Sequence, residues 1–301
     1  MNTVTQTARQ PDPDKRFAFG RNWQSFLTTL DDRRIEEAQR RLCESLGSDD
    51  LRGVRALDVG SGSGLSSLVM HRLGAEVVSF DYDTLSVACT MEVRRRYARA
   101  VANWDVLQGS ALDPVFMSNL GQFDLVYSWG VLHHTGAMWT ALDLTAQRTA
   151  LTGTLLIALY NDQGWRSRGW HQIKRLYCSG ALGRWAVGLT FYPLFGLYAT
   201  ALDLRHLRMP GDHARRYRQR RGMSLFHDWR DWLGGYPFEV ARPEEVMYRL
   251  GVAGFELKHQ TLTQGLGCNE FVFTRNQGNT QRGSARDESF KLPRREQVGT
   301  P

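Results

Sequence analysis

The chain has 301 residues, 42% of them hydrophobic and 23% charged, with a formal net charge of +7. That composition is globular and excludes a collagenous, low-complexity or disulfide-scaffold protein. The four cysteines, Cys43, Cys89, Cys178 and Cys268, are far apart with no CxxC and no histidine at zinc spacing, which speaks against a structural metal and suits a reducing cytoplasm.

The polar start has no apolar core of the kind a signal peptide needs, and residues 1–16 read as a disordered tail. Residues 17–53 read as a helical cap. It opens on Phe17, Phe19, Trp23 and Phe26, then places Ile35, Ala38, Leu42 and Leu46 at helical spacing. The aromatic start has two readings of equal weight, a lid over a bound ligand or a helix stapled to the sheet. From residue 54 short apolar runs alternate with helical stretches, as a parallel sheet with crossover helices requires. The runs are 55–59, 76–80, 105–108, 123–128 and 154–159, and the helical stretches fall at about 64–73, 84–99, 138–150 and 165–178. Residues 54–179 form this core. The alternation stops at residue 180 and resumes at Pro243, so 180–242 reads as a helical insertion or substrate lid. The remainder, 243–275, supplies one more helix and two strands, 255–259 and 269–274, before a disordered tail over 276–301.

The first strand runs into Leu57-Asp58-Val59-Gly60-Ser61-Gly62-Ser63-Gly64-Leu65. Gly60, Gly62 and Gly64 permit a sharp bend and a close approach of a ligand to main-chain N–H groups at a helix N-terminus, with Ser61 inside the bend. Asp81 follows 21 residues after Gly60, at the end of the second strand, where a carboxylate meets a ribose hydroxyl pair. Tyr82 beside it is placed to lie against an adenine ring. A dinucleotide fingerprint is GxGxxG, whereas this run is GxGxG with Leu65 in the third glycine's place. S-adenosylmethionine has no pyrophosphate to cradle, and Asp58 is placed to organise the loop around its ammonium. The competing reading of the run is a tight turn without a ligand.

These residues resemble the class I S-adenosylmethionine-dependent methyltransferases, in particular the small-molecule group that includes the ubiquinone and menaquinone methylases. Residues 106–113 are similar to the family's third-strand motif, 123–135 to the fourth and 153–161 to the fifth; the likeness covers 54–162 well and 243–275 loosely. The resemblance implies a doubly wound α/β fold, with a mostly parallel seven-stranded sheet in the order 3-2-1-4-5-7-6. It implies S-adenosylmethionine as cofactor and no metal. It extends the donor site to Ala111, Trp129 and either Ser110 or Asp113 for the adenine. His133 and His134, just past the fourth strand, are the candidate bases, with His134 favoured and helix packing as the alternative role. Tyr160 and Asn161 would face the same cleft. In the insertion, Asp228, Asp231, Trp232, Tyr236 and Glu239 are candidates for an acceptor pocket, each more readily explained as subdomain core.

The expected activity is methyl transfer to an O or N atom of a small-molecule, glycan or lipid-linked acceptor. An NAD(P)-dependent oxidoreductase, an RNA methyltransferase and a donor-binding pseudoenzyme are the alternatives; Leu65 counts against the first, and no base-amino or cysteine motif follows the fourth strand for a nucleic-acid enzyme. Residues 185–202 are 18 residues without a charge, and Arg205–Arg221 adds seven arginines against one aspartate. A buried or substrate-covering helix pair is the first reading of the apolar run. Peripheral membrane contact through 185–221 of a cytoplasmic protein is the second, and a spanning helix, with Pro193 in its middle, the last.

Overall fold

The computed structural model describes residues 19–98, 103–221 and 225–276. Seven strands form one sheet: β1 (Arg55–Val59), β2 (Glu76–Asp81), β3 (Trp104–Gln108), β4 (Phe123–Trp129), β5 (Thr149–Tyr160), β6 (Phe255–Thr261) and β7 (Cys268–Arg275). Their order is β3-β2-β1-β4-β5-β7-β6, as expected. The pairs among β1 to β5 are parallel, and β7 runs antiparallel to both neighbours. Parallel strands need crossovers, and the helices supply them: α3 (Leu65–Arg72), α4 (Thr84–Tyr97), α5 (Pro114–Asn119) and α6 (Met138–Ala146). Two helices, α1 (Gly20–Leu27) and α2 (Asp32–Leu46), precede the sheet. Four follow β5: α7 (Trp165–Tyr177), α8 (Ala181–Arg205), α9 (Asp212–Arg221) and α10 (Leu225–Gly234). The helix α11 (Pro243–Val252) then leads into β6.

Strand alternation divides the core into two layers. Leu57, Val126, Leu155, Ile157, Phe271 and Phe273 face α5, α6 and α11. Ala56, Leu125, Leu156, Val272 and Trp104 face α1 to α4. Aspartates start three of the helices. Asp31 accepts from Arg34 N–H, Asp83 from Leu85 N–H, and Asp113 from the N–H groups of Val115 and Phe116.

One polar chain crosses the second layer. Trp104 Nε1–H donates to Ser79 Oγ (2.7 Å), Ser79 donates to Ser67 Oγ (2.7 Å), and Ser67 donates to Asp58. All four residues are buried. Because each buried group is satisfied by the next, deleting one orphans another. Ser79→Ala is expected to cost about 1–3 kcal/mol, by leaving the Trp104 N–H unpaired. A urea midpoint equal to that of the unaltered protein would refute this.

The apolar run departs from the helix pair expected of it. Pro193 does not divide it; α8 is one helix of 25 residues. Proline removes one backbone bond, and the surrounding turns keep the rest. β5 is also longer than the apolar run 154–159. It starts at Thr149 and carries a register shift against β4 between Phe123 and Leu125.

Candidate functional site

The bend after β1 is built on three left-handed glycines, with φ of +78° at Gly60, +54° at Gly62 and +81° at Gly64. Space forbids a side chain as well. A Cβ on Gly60 would lie 2.3 Å from the Val131 side chain, and one on Gly62 would lie 2.9 Å from the Trp23 ring. The N–H groups of Gly60 and Ser61 donate to Phe80 O, which ties the bend to β2.

Asp81 closes the other side. Its carboxylate accepts from Gly62 N–H (3.0 Å) and Asp83 N–H (2.9 Å). Burial pushes it up to about 6, against the pull of those N–H donors. Asp58 lies deeper, in the serine chain, and is pushed up to about 7 by burial first and by the charge of Asp81 next. It does not line the pocket mouth; it holds Ser67 of α3 under the bend.

The pocket beside the bend is lined by Gly60, Asp81, Tyr82, Ser110, Ala111, Val131 and Thr135, with Val59, Phe80, Gly109 and Leu112 completing it. The ends of β1, β2 and β3 thus bring five expected donor-site residues together. Of the two adenine candidates, Ser110 lines the pocket, while Asp113 is spent on the cap of α5. Trp129 departs from expectation. It shares the Tyr127 face of β4 and lines a separate groove with Ser66, Arg41, His259 and Glu270. Alternation along the strand is the reason, because residues two apart share a face.

Helix α1 lies across the bend. Gly20 N–H donates to Asp83 (2.9 Å), Trp23 covers Gly62, and the Phe19 ring meets that of His134 at 4.9 Å. Phe26 and Leu27 of the same helix pack into the core, as the stapled-helix reading expects. Phe17 lies outside the described residues.

The two histidines occupy a 3-10 turn, Leu132–His134, after β4. His134 Nδ1 is 2.7 Å from Pro237 O. A carbonyl only accepts, so Nδ1 carries the proton and Nε2 the lone pair. His133 Nδ1 accepts from Tyr160 N–H (3.2 Å), so its ring proton is on Nε2. That Nε2 is buried without a partner among the described residues. Burial holds both rings neutral, pushing His134 down to about 3 and His133 well below the usual range. Tyr160 stacks on His133 at 3.8 Å and stands 5.3 Å from Phe238 and 6.0 Å from Trp232.

The insertion builds this corner in a way residue types do not reveal. Pro237 orients His134 through a main-chain carbonyl, and Glu239 N–H donates to His133 O. Glu239 is not a pocket acid. Its carboxylate accepts from Met138 N–H at the start of α6, where a negative charge meets the helix dipole. Trp232 joins the aromatic wall, and Tyr236 meets His171 instead. The side chains of Asp228 and Asp231 lie outside the described residues. Asn161 is tied to Thr263 O and Asn269. Lys174 was missed: it is fully buried, donates to Trp232 O and stands 4.1 Å over the Trp232 ring. Its signal was a lysine amid the apolar positions of α7, beside Ile173 and Tyr177.

The pocket suits a cationic nucleoside. Asp81 lines it, and Asp58 and Asp83 stand behind it, while none of the described lining residues is lysine or arginine. A pyrophosphate would meet only like charge there, whereas a sulfonium or an ammonium meets its complement. Sheet order and acidic cradle together define a methyltransferase class of domain. Residues 57–157 match the family model described as "Methyltransferase domain". Residues 57–157 thus form a methyltransferase domain, and S-adenosylmethionine is the cofactor that its acidic cradle takes.

Curated relatives include the ubiquinone biosynthesis O-methyltransferases of Rhodopseudomonas palustris (28% identical over 119 residues; 40% of this chain, 44% of the relative) and Sinorhizobium fredii (29% over 167 residues; 48% and 64%). The Agrobacterium fabrum protein of that name is 27% identical over 203 residues, covering 58% of this chain and 78% of the relative. The chain thus spans less than two thirds of the first two. Among solved structures, magnesium protoporphyrin IX methyltransferase from Synechocystis PCC 6803 aligns with a TM-score of 0.48 at 14% identity, over 81% of this chain and 84% of that one. N-methyltransferase NodS from Bradyrhizobium japonicum WM9 aligns at 0.45 and 16%, over 82% and 99%.

Proposed function

We propose that this protein transfers a methyl group to a hydroxyl oxygen of a small aromatic or lipid-like acceptor, with His134 as general base. The observation that carries this reading is the tautomer of His134: its Nδ1–H donates to Pro237 O, so Nε2 keeps the lone pair that would take a hydroxyl proton. The relatives named for O-methyl transfer support oxygen as the accepting atom.

When bound, the donor supplies a methyl group already activated on a sulfonium. The protein's part is to orient, exclude water and take a proton. Asp81 would hold the ribose hydroxyls, Tyr82, Ser110 and Ala111 the adenine, and the bend at Gly60–Gly64 the amino-acid tail. The Pro237 carbonyl fixes which nitrogen of His134 is free. Tyr160, Trp232 and Phe238 offer an apolar wall to the acceptor. Four free cysteines accord with a cytoplasmic protein.

The test is transfer of label from methyl-tritiated donor into small molecules of a cell extract. Label is expected in a product whose new methyl group is a methyl ether. Label in a methylamine would overturn the oxygen assignment, and donor binding without any transfer would establish a pseudoenzyme instead.

A further inference from the structure

Helix α8 is apolar on two opposite faces, and the fold covers only one. On the covered face Val187 is buried with Tyr177 and Leu233, Phe191 meets Trp170 at 5.6 Å, and Phe195 meets Trp229 at 5.5 Å. On the other face Leu182, Trp185, Leu189, Leu197 and Leu204 fall on one stripe at helical spacing. Leu182 is 88% exposed, Trp185 68%, Leu189 69% and Leu197 68%. The run Trp185–Leu202 holds no charged residue. Leu207 and Met209 continue the exposed apolar surface into the turn that follows. A contiguous patch of this kind on a folded domain marks a contact surface.

Charge identifies what the surface fits. At the C-terminal end of α8 stand Arg205 and Arg208, and α9 adds Arg215 and Arg216 one turn further on. Nearby acids offset little of this: Asp203 is buried and accepts from Gly211 N–H, and Asp212 lies 3.8 Å from Arg215. An apolar stripe with a basic end is the pattern of a helix lying in the interface of an anionic bilayer.

We infer that α8 and the start of α9 form a peripheral docking surface for a membrane rich in anionic lipid, with the Leu182–Leu204 stripe in the acyl boundary and the arginines on the headgroups. At 25 residues the helix is about 37 Å long and has the length to span. It is the one helix among the described residues long and apolar enough to do so. Spanning is excluded by its other face, which is packed on α7 and α10. Helix α7 carries Arg166, Arg168 and Arg175 and is part of the globular domain. The inference is independent of the acceptor and of the base.

Vesicle flotation of the full chain tests it. The protein is expected to float with mixed phosphatidylcholine–phosphatidylglycerol vesicles and to remain below with phosphatidylcholine alone. The variant with Trp185→Ser, Leu189→Ser and Leu197→Ser should partition at least about tenfold less. Its unchanged affinity for S-adenosylhomocysteine would show that the fold is intact. A second variant, Arg215→Ser with Arg216→Ser, should lose binding to the anionic vesicles while leaving the stripe untouched. The inference falls if the unaltered protein does not float, or if both variants float as it does. A concentration-dependent dimer by light scattering, without flotation, would give the stripe to a second copy of the chain and overturn it as well.

Discussion

Asp81→Asn weakens binding of S-adenosylhomocysteine by about a hundredfold, measured by calorimetry at pH 8. Two losses combine. The ionised acceptor for the ribose hydroxyls disappears, and asparagine offers one acceptor oxygen where the carboxylate offers two, with Gly62 N–H and Asp83 N–H already using both. The same carboxylate makes binding depend on pH in a stated direction. In the free protein burial raises Asp81 to about 6, so protonation competes with the ligand below that value. Asp58, raised to about 7, adds to the effect from underneath the bend. Affinity should therefore rise as pH rises through that window and level off above it, because binding that requires the ionised form pulls the proton off. The Asn variant should lose the part of the slope near pH 6. Equal affinity of the two proteins at pH 8 would remove Asp81 from the donor site.

His134→Ala lowers the rate of methyl transfer by about a hundredfold to ten-thousandfold, once an acceptor is in hand, with donor affinity changed little. The ring already has a fixed tautomer and stays neutral, held down to about 3 by burial. Its protonation therefore puts no acid limb in the rate profile near pH 6.5, where an exposed histidine would. An acid limb near 6 to 7 would belong to the two carboxylates and would appear in donor binding as well. If His134→Ala turned over at the original rate, the base would be elsewhere, or none would be needed. His134→Gln separates proton transfer from packing, because it keeps a polar side chain of similar reach beside Phe19 and Tyr160 without an imidazole to take the proton.

The strands and the glycine bend were legible because each depends on local chemistry, whereas the strand order came only with the family resemblance. Continuous apolar runs mark buried parallel strands, and positive φ at Gly60, Gly62 and Gly64 requires glycine. What escaped reading depends on long-range partners. Pro237 acts through its carbonyl, which every residue has, so no residue type announces it. Glu239 has the composition of a pocket acid and the position of a helix cap. Trp129 sits in the right motif on the wrong face, a one-residue matter of strand parity. Asp58 is legible as an organiser of the loop, but its partners Ser67 and Ser79, which draw it beneath the bend, are not. The fate of α8 was a question of exposure, and composition is silent on which side of an apolar helix the fold leaves bare.

The start of the described chain links the glycine bend to the candidate base. Gly20 is bonded to the aspartate capping α4, Trp23 rests on the bend, and Phe19 touches the candidate base. A displacement of this segment would lift Trp23 from Gly62 and Phe19 from His134 together. Whatever a ligand asks of the glycine bend is therefore felt at the candidate base through one short piece of chain.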